Sequence, residues 1–519
     1  MRHLLLVVPA LVVAGLVAAS CGDDNDNPRS GAASPSSPSP SITIAPATFE
    51  EGDCPFYVPG EYESRCGMLA VPEDRNHPDG RRIRLQVAVI ESTGAESDDG
   101  PVLYLDGGPG GNTIASLQYV LPAFEPFLEN HDFVFFDQRG VGSSSPSLEC
   151  PSLKPFFYTV LGEDLAPEEY RRRALDATEE CLRDLTSRGA NISAYNSVEN
   201  AADVEDLRRV LGYEQWNLFG ISYGTRLALT VMRDFPEGVR SAVLDSVYPL
   251  QVNLFTENLD NTARSLRLLF DSCSADPVCA ANYPDLETVF YEQVDALEQQ
   301  PVEVPLQNPL NARYQLVQFD GEALLEVLVQ GLYLTEALPL LPRMVYDVRD
   351  GNFELAALFA STGLAESDLL SIGMYLSVEC NDEAPFSNPE DAGAAAGRNP
   401  DLARYGGADD TTLVLDVCRT WTGAETGADP AENAPVTSDI PALVLAGAYD
   451  PVTPPAWAQA AASDLANSHY VEFPNAGHGV APGDDCATAL VTAFWENPSA
   501  APDTTCVPTT GPSFIGPLD

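Results

Sequence analysis

Lysine is almost absent from this chain: Lys154 is the only one among 519 residues, and 27 cations face 77 carboxylates for a formal net charge of -50. A surface this acidic excludes a protein that binds nucleic acid or is held to anionic lipid by charge. Histidine is scarce too, with five in the chain, so histidine chemistry has few places to sit. No C-x-x-C pair occurs, which removes the common zinc and redox spacings, and no metal site or cofactor is expected. The apolar run Leu4 to Ala19 falls short of the roughly 20 residues that span a bilayer.

What that run does fit is export. "MRHLLLVVPALVVAGLVAASC" has a basic start, an apolar middle and small residues before Cys21, so residues 1–20 read as a signal peptide. Cys21 after "AAS" resembles the acylated cysteine of bacterial lipoproteins, which makes a lipid anchor the preferred reading and plain secretion the alternative. Any membrane association is expected through that anchor alone. Residues 21–50, rich in Ser, Pro and Asp, read as a disordered tether.

Ten further cysteines remain: Cys54, Cys66, Cys150, Cys181, Cys273, Cys279, Cys380, Cys418, Cys486 and Cys506. An even number in an exported chain favours disulfides over metal. Pairing in sequence order would close five local loops, though spacing alone leaves the connectivity open.

Length allows one enlarged domain or two. "VLYLD", "DFVFFD", "NLFG", "AVLD" and "ALVLAG" are short, continuously apolar runs, the pattern of a parallel sheet covered on both faces. Helical patterns such as "VENAADVEDLRRVLG" alternate with them, so the fold class is α/β. Residues 251–439 carry long helical patterns without comparable strands, and read as a mainly helical cap inserted between core segments 51–250 and 440–519.

Chemistry concentrates in four places. "NLFGISYGTRLAL" sets Ser222 between Gly220 and Gly224 where a buried strand meets a helix, the setting of a strained nucleophile elbow. His478, in "PNAGHGV", is the histidine on a loop beyond a strand's carboxyl end, where open α/β sheets build sites. Asp450, opening the turn "DPVTP", completes the order Ser, Asp, His, with Asp245 as the runner-up acid. "DGGPGG" has no lysine in or after it and so is no Walker-type phosphate loop. It reads as an oxyanion loop, the donors being the backbone N–H groups of Gly108 and Tyr223.

Together "GGPGG", "FDQRGVGSS", "GISYGTRLA", "DPVTP" and "GHG" resemble the proline iminopeptidase and tripeptidyl aminopeptidase family of α/β-hydrolases, and "CNDEAP" at 380–385 resembles its tripeptidyl branch. The resemblance implies an α/β-hydrolase fold and an exported serine aminopeptidase releasing single residues or short peptides, of tripeptidyl or prolyl type. Asp106 stands where the iminopeptidase motif has histidine. Peptides with a free amino terminus are then the expected partners, and a buried carboxylate should receive the ammonium. Glu379, Asp382 and Glu383 are the candidates, while Arg139 is expected to brace the oxyanion loop. A carboxylesterase or lipase would use the same triad. A non-catalytic peptide-binding lipoprotein is the reading outside enzymes.

Overall fold

The computed structural model describes residues 46–58, 62–94, 99–163, 165–308, 311–403, 408–423 and 428–517. The expected signal, Cys21 and the expected tether up to residue 45 lie outside these residues. The tether's expected end at residue 50 needs correction. Strand β1 (Thr48–Gly52) pairs antiparallel with β2 (Ser64–Pro72), Thr48 opposite Ala70 and Gly52 opposite Cys66. "TFEEG" is barely apolar, and backbone pairing on a sheet edge holds it, with Phe49 alone packing on the apolar core.

The remaining strands are β3 (Arg82–Ile90), β4 (Val102–Leu105), β5 (Phe133–Phe136), β6 (Trp216–Ile221), β7 (Val239–Asp245), β8 (Val302–Gln307), β9 (Tyr314–Phe319), β10 (Ala442–Gly447) and β11 (Ser468–Phe473). Among the described residues nine of the eleven strands, β1 and β2 included, form one sheet in the order β1-β2-β3-β5-β4-β6-β7-β10-β11. From β5 to β11 every neighbouring pair is parallel. The strands "VLYL", "FVFF" and "ALVLAG" are buried at every position, as expected of a sheet with helices on both faces. Parallel strands bring the loops that follow β4, β6, β7, β10 and β11 to one edge, where sites in such sheets form.

Two apolar clusters pack the sheet's faces, one around Leu103, Leu218 and Val444, the other around Tyr104, Phe219 and Leu443. Segment 251–439 is mainly helical, as the pattern suggests, with helices including Leu254–Ala275, Gly321–Tyr333 and Glu354–Asp368. It differs in two respects. It contains the β8–β9 hairpin, and it divides its packing. Residues such as Leu266, Phe290 and Leu328 form a third cluster of their own, whereas Met374, Val378 and Trp421 pack into the core's cluster.

The cysteines pair in sequence order: 54–66, 150–181, 273–279, 380–418 and 486–506. Bridges of this kind typically contribute ~2–4 kcal/mol each by restricting the unfolded chain. The 380–418 bridge ties the start of the turn Glu379–Glu383 to the helix Ala408–Thr422.

Candidate active site

Ser222 sits between the end of β6 and the helix Tyr223–Asp234 with φ 57° and ψ -127°, a conformation sterically costly for a residue with a Cβ. The flanking glycines make it possible. A Cβ on Gly220 would collide with the Gly224 carbonyl, and one on Gly224 with the Leu105 carbonyl. The Ser222 N–H donates to the Asp245 carbonyl at 3.0 Å, which fixes the elbow to β7.

The glycine loop faces the serine. A Cβ on Gly107 would lie 3.0 Å from the Ser222 Cβ, so only glycine lets the two backbones come this close. Gly108 and Gly110 have φ of +111° and +97°, which favour glycine. Neither the Gly108 nor the Tyr223 N–H finds a protein acceptor among the described residues. Behind the loop Asp106 accepts from the Gly107 N–H at 2.9 Å, the Thr113 hydroxyl at 3.1 Å and the Tyr104 hydroxyl at 3.2 Å. Burial pushes its carboxyl up to about 6 despite these donors. Asp106 is thus anchored to its own loop.

Arg139 corrects an expectation, for it makes no hydrogen bond to that loop. Its guanidinium grips Asp203 at 2.8 Å through both Nε and Nη2, and Nη1 donates to the Glu73 and Ala194 carbonyls. The neighbour does the bracing: Gln138 Nε2 donates to the Asp106 carbonyl at 3.1 Å. Asp137 accepts from the Ile114 and Ser143 N–H groups and is pushed by burial to about 7.

His478 Nδ1 donates to Asp450 Oδ2 at 2.7 Å. The Thr453 hydroxyl donates to the same oxygen at 2.6 Å, and the N–H groups of Val452 and Thr453 donate to Oδ1 at 2.9 Å each. Burial alone would raise the Asp450 carboxyl, but the charge and hydrogen bond of His478 and the Thr453 donors outweigh it, leaving it below the usual carboxylate range. An ionised acid of this kind holds an imidazole in one tautomer. His478 Nε2 is buried and makes no hydrogen bond among the described residues, so it is available to a reacting group. Asp245, the runner-up, instead fixes the loop that carries the histidine, because its two oxygens accept from the Val480 and Ala481 N–H groups.

Ser222, His478, Gly107 and Gly108 share the lining of a cleft whose other walls include Phe124, Leu370 and Glu366. The expected ammonium receptors are not on this lining. Asp382 accepts from the Ser197 N–H at 2.8 Å, Glu383 from the Leu254 N–H at 2.8 Å, and Glu383 also pairs with Arg226 at 3.1 Å. Glu379 beside them is buried, and burial with the neighbouring Glu383 holds its carboxyl well above the usual range. Two carboxylates border the cleft, Asp106, already engaged by its three donors, and Glu366. Glu366 is partly exposed, accepts a hydrogen bond from Gln330 at 3.0 Å, and burial holds its carboxyl well above the usual carboxylate range. Nothing in "LAESDLL" marks it from its neighbours, and only the folding of its helix against the sheet edge brings it to the site.

Comparison with known proteins matches residues 100–272 to the alpha/beta hydrolase fold family and residues 405–506 to the family described as TAP-like protein. Serine protease Hip1 of Mycobacterium tuberculosis is 26% identical over 462 residues, 83% of this chain and 84% of that protein. Tripeptidyl aminopeptidase of Streptomyces lividans is 33% identical over 192 residues, 35% of each chain. Carboxylesterase B of Mycobacterium tuberculosis is 26% identical over 254 residues, 46% of this chain and 47% of that one.

Proposed function

Because the chain is an α/β-hydrolase with a TAP-like segment, a serine hydrolase of the Hip1 and tripeptidyl aminopeptidase type, we propose that it is an exported aminopeptidase acting through Ser222, His478 and Asp450. The observation that carries the reading is the cleft itself, where an elbow serine, a carboxylate-bound histidine and a partly open carboxylate share one enclosure. Residues 1–20 would direct export, and Cys21 would carry the lipid anchor ahead of the tether. Core segments 51–250 and 440–519 would supply the triad, and the intervening cap would close the cleft.

In this reading Ser222 Oγ attacks the scissile carbonyl while His478 Nε2 takes its proton, and Asp450 stabilises the resulting imidazolium. The Gly108 and Tyr223 N–H groups receive the oxyanion, each worth roughly 10²- to 10³-fold in rate. His478 gives its proton to the leaving amine. Water, activated by the same histidine, then releases the N-terminal fragment from the acyl-enzyme.

Substrate choice turns on the amino terminus. Glu366 is the receptor we favour over Glu379, Asp382 and Glu383, because it borders the cleft that holds the serine. Burial holds its carboxyl above the usual range while an arriving ammonium favours the ionised form, so the preference should fade as the pH falls. A carboxylesterase remains the second reading, favoured by the apolar wall that includes Val120, Phe124 and Leu370.

Chromogenic tripeptide amides with free and acetylated amino termini separate the two. Acetylation should cost at least ~10-fold in kcat/KM, the size of one charge-assisted hydrogen bond. Glu366→Gln should erase most of that difference and leave short esters unchanged. If Glu379→Gln erased it instead, the receptor would be the buried cluster. Equal cleavage of both peptides by the wild type would replace the aminopeptidase by an esterase or endopeptidase.

A further inference from the structure

The loop that carries His478 is held from two sides. On the core side Asp245 takes the Val480 and Ala481 N–H groups, and Ser246 Oγ takes the Gly479 N–H at 2.8 Å. On the other side stands the end of the helix Gly321–Tyr333. The Tyr333 carbonyl accepts the His478 N–H at 2.8 Å, and Thr335 Oγ1 accepts the Gly477 N–H at 3.0 Å. A Cβ on Gly477 would collide with the carbonyls of Leu332 and Tyr333, so the two segments touch backbone to backbone.

The Tyr333 ring completes this contact. It stacks on the imidazole with centroids 4.1 Å apart and planes 18° from parallel, and it is 2% exposed. Its hydroxyl finds no hydrogen-bond partner among the described residues. What meets His478 is the ring face. That face is electron-rich, and a cation held against it is stabilised, the more so away from water. A neutral imidazole gains less. An aromatic face here therefore acts on the charged state that arises during the reaction.

We propose that Tyr333 is a positioning residue for the reaction: its ring keeps the His478 imidazole in the plane set by Asp450 and stabilises the imidazolium formed when His478 takes the Ser222 proton. This rests on His478 being the base, as proposed above. The contact is indifferent to what is cleaved, so it should act on esters and peptide amides alike. It also makes the inserted segment part of the catalytic assembly, because the helix end supplies the stacking ring.

The test replaces the ring face while keeping its volume. Tyr333→Phe should retain kcat within about 3-fold, since it keeps the ring face and no described residue bonds the hydroxyl. Tyr333→Met and pentafluorophenylalanine at position 333, whose ring polarity is reversed, should each lower kcat by about 10- to 30-fold with KM within about 3-fold, on both substrate types. The fluorinated ring packs like the native one and keeps the test decisive if the Met variant does not fold. Wild-type kcat in the fluorinated variant overturns the proposal, as does a Phe variant as slow as the fluorinated one. A change in KM alone overturns it too. His478→Ala is the control: if that variant is inactive while the fluorinated one is unchanged, this inference alone falls. If His478→Ala retains full activity, the base assignment falls with it.

Discussion

Ser222→Ala is expected to remove hydrolysis of esters and peptide amides together, by roughly 10⁵- to 10⁶-fold in kcat, leaving only what the oxyanion donors and binding provide. The melting temperature should hardly move. Ser222 Oγ makes no hydrogen bond to the protein among the described residues, and the backbone bonds that define the elbow, from the Ser222 N–H to Asp245 and from the Thr225 N–H to the Ser222 carbonyl, do not involve the side chain. Alanine also adds no atom at the strained φ. Labelling by a fluorophosphonate should vanish in the same variant. Residual turnover at a tenth of wild type would mean that the elbow serine is not the nucleophile.

Asp450→Asn should cost about 10⁴-fold in kcat, because an amide can present its NH2 to His478 and stabilise the wrong tautomer. Three further donors, the Val452 and Thr453 N–H groups and the Thr453 hydroxyl, converge on the same carboxyl, so the variant also leaves donors facing an amide. Some loss of stability should accompany the loss of rate. Asp245→Asn separates the two roles. It weakens the hold on the Val480 and Ala481 N–H groups without touching the imidazole, so its effect on kcat should be far smaller. Steady-state kinetics on both variants decide: a greater loss in Asp245→Asn would exchange the assignments.

The elbow was legible because its geometry admits few residues. Gly220 and Gly224 are where any Cβ would strike backbone, and a serine between them at a strand-to-helix junction has little other reason to be there. Asp450 and His478 were legible by position, each following a strand, buried β10 and edge strand β11, whose carboxyl ends reach the same edge. Order along the chain also suggested the cysteine pairing, though only folding selected it.

What escaped is what depends on distant partners. Arg139 pairs with Asp203, 64 residues on, and its motif "DQRG" carries no sign of that acid. Tyr333 and Glu366 lie on helices whose apolar spacing announces burial but not which cavity a helix end will meet. The β8–β9 hairpin was hidden for a related reason. "VEVPLQ" is short, carries a proline and is buried at only two positions, so it lacks the continuous apolar run that marks the central strands.

Reaction with a tripeptidyl phosphonate ester, followed by intact-mass and peptide-mapping mass spectrometry, tests the nucleophile and the amino terminus at once. The proposed mechanism requires one adduct, on the peptide that contains Ser222, forming at least ~10-fold faster with a free amino terminus than with an acetylated one. An adduct on any other residue, or equal rates for the two inhibitors, would contradict it.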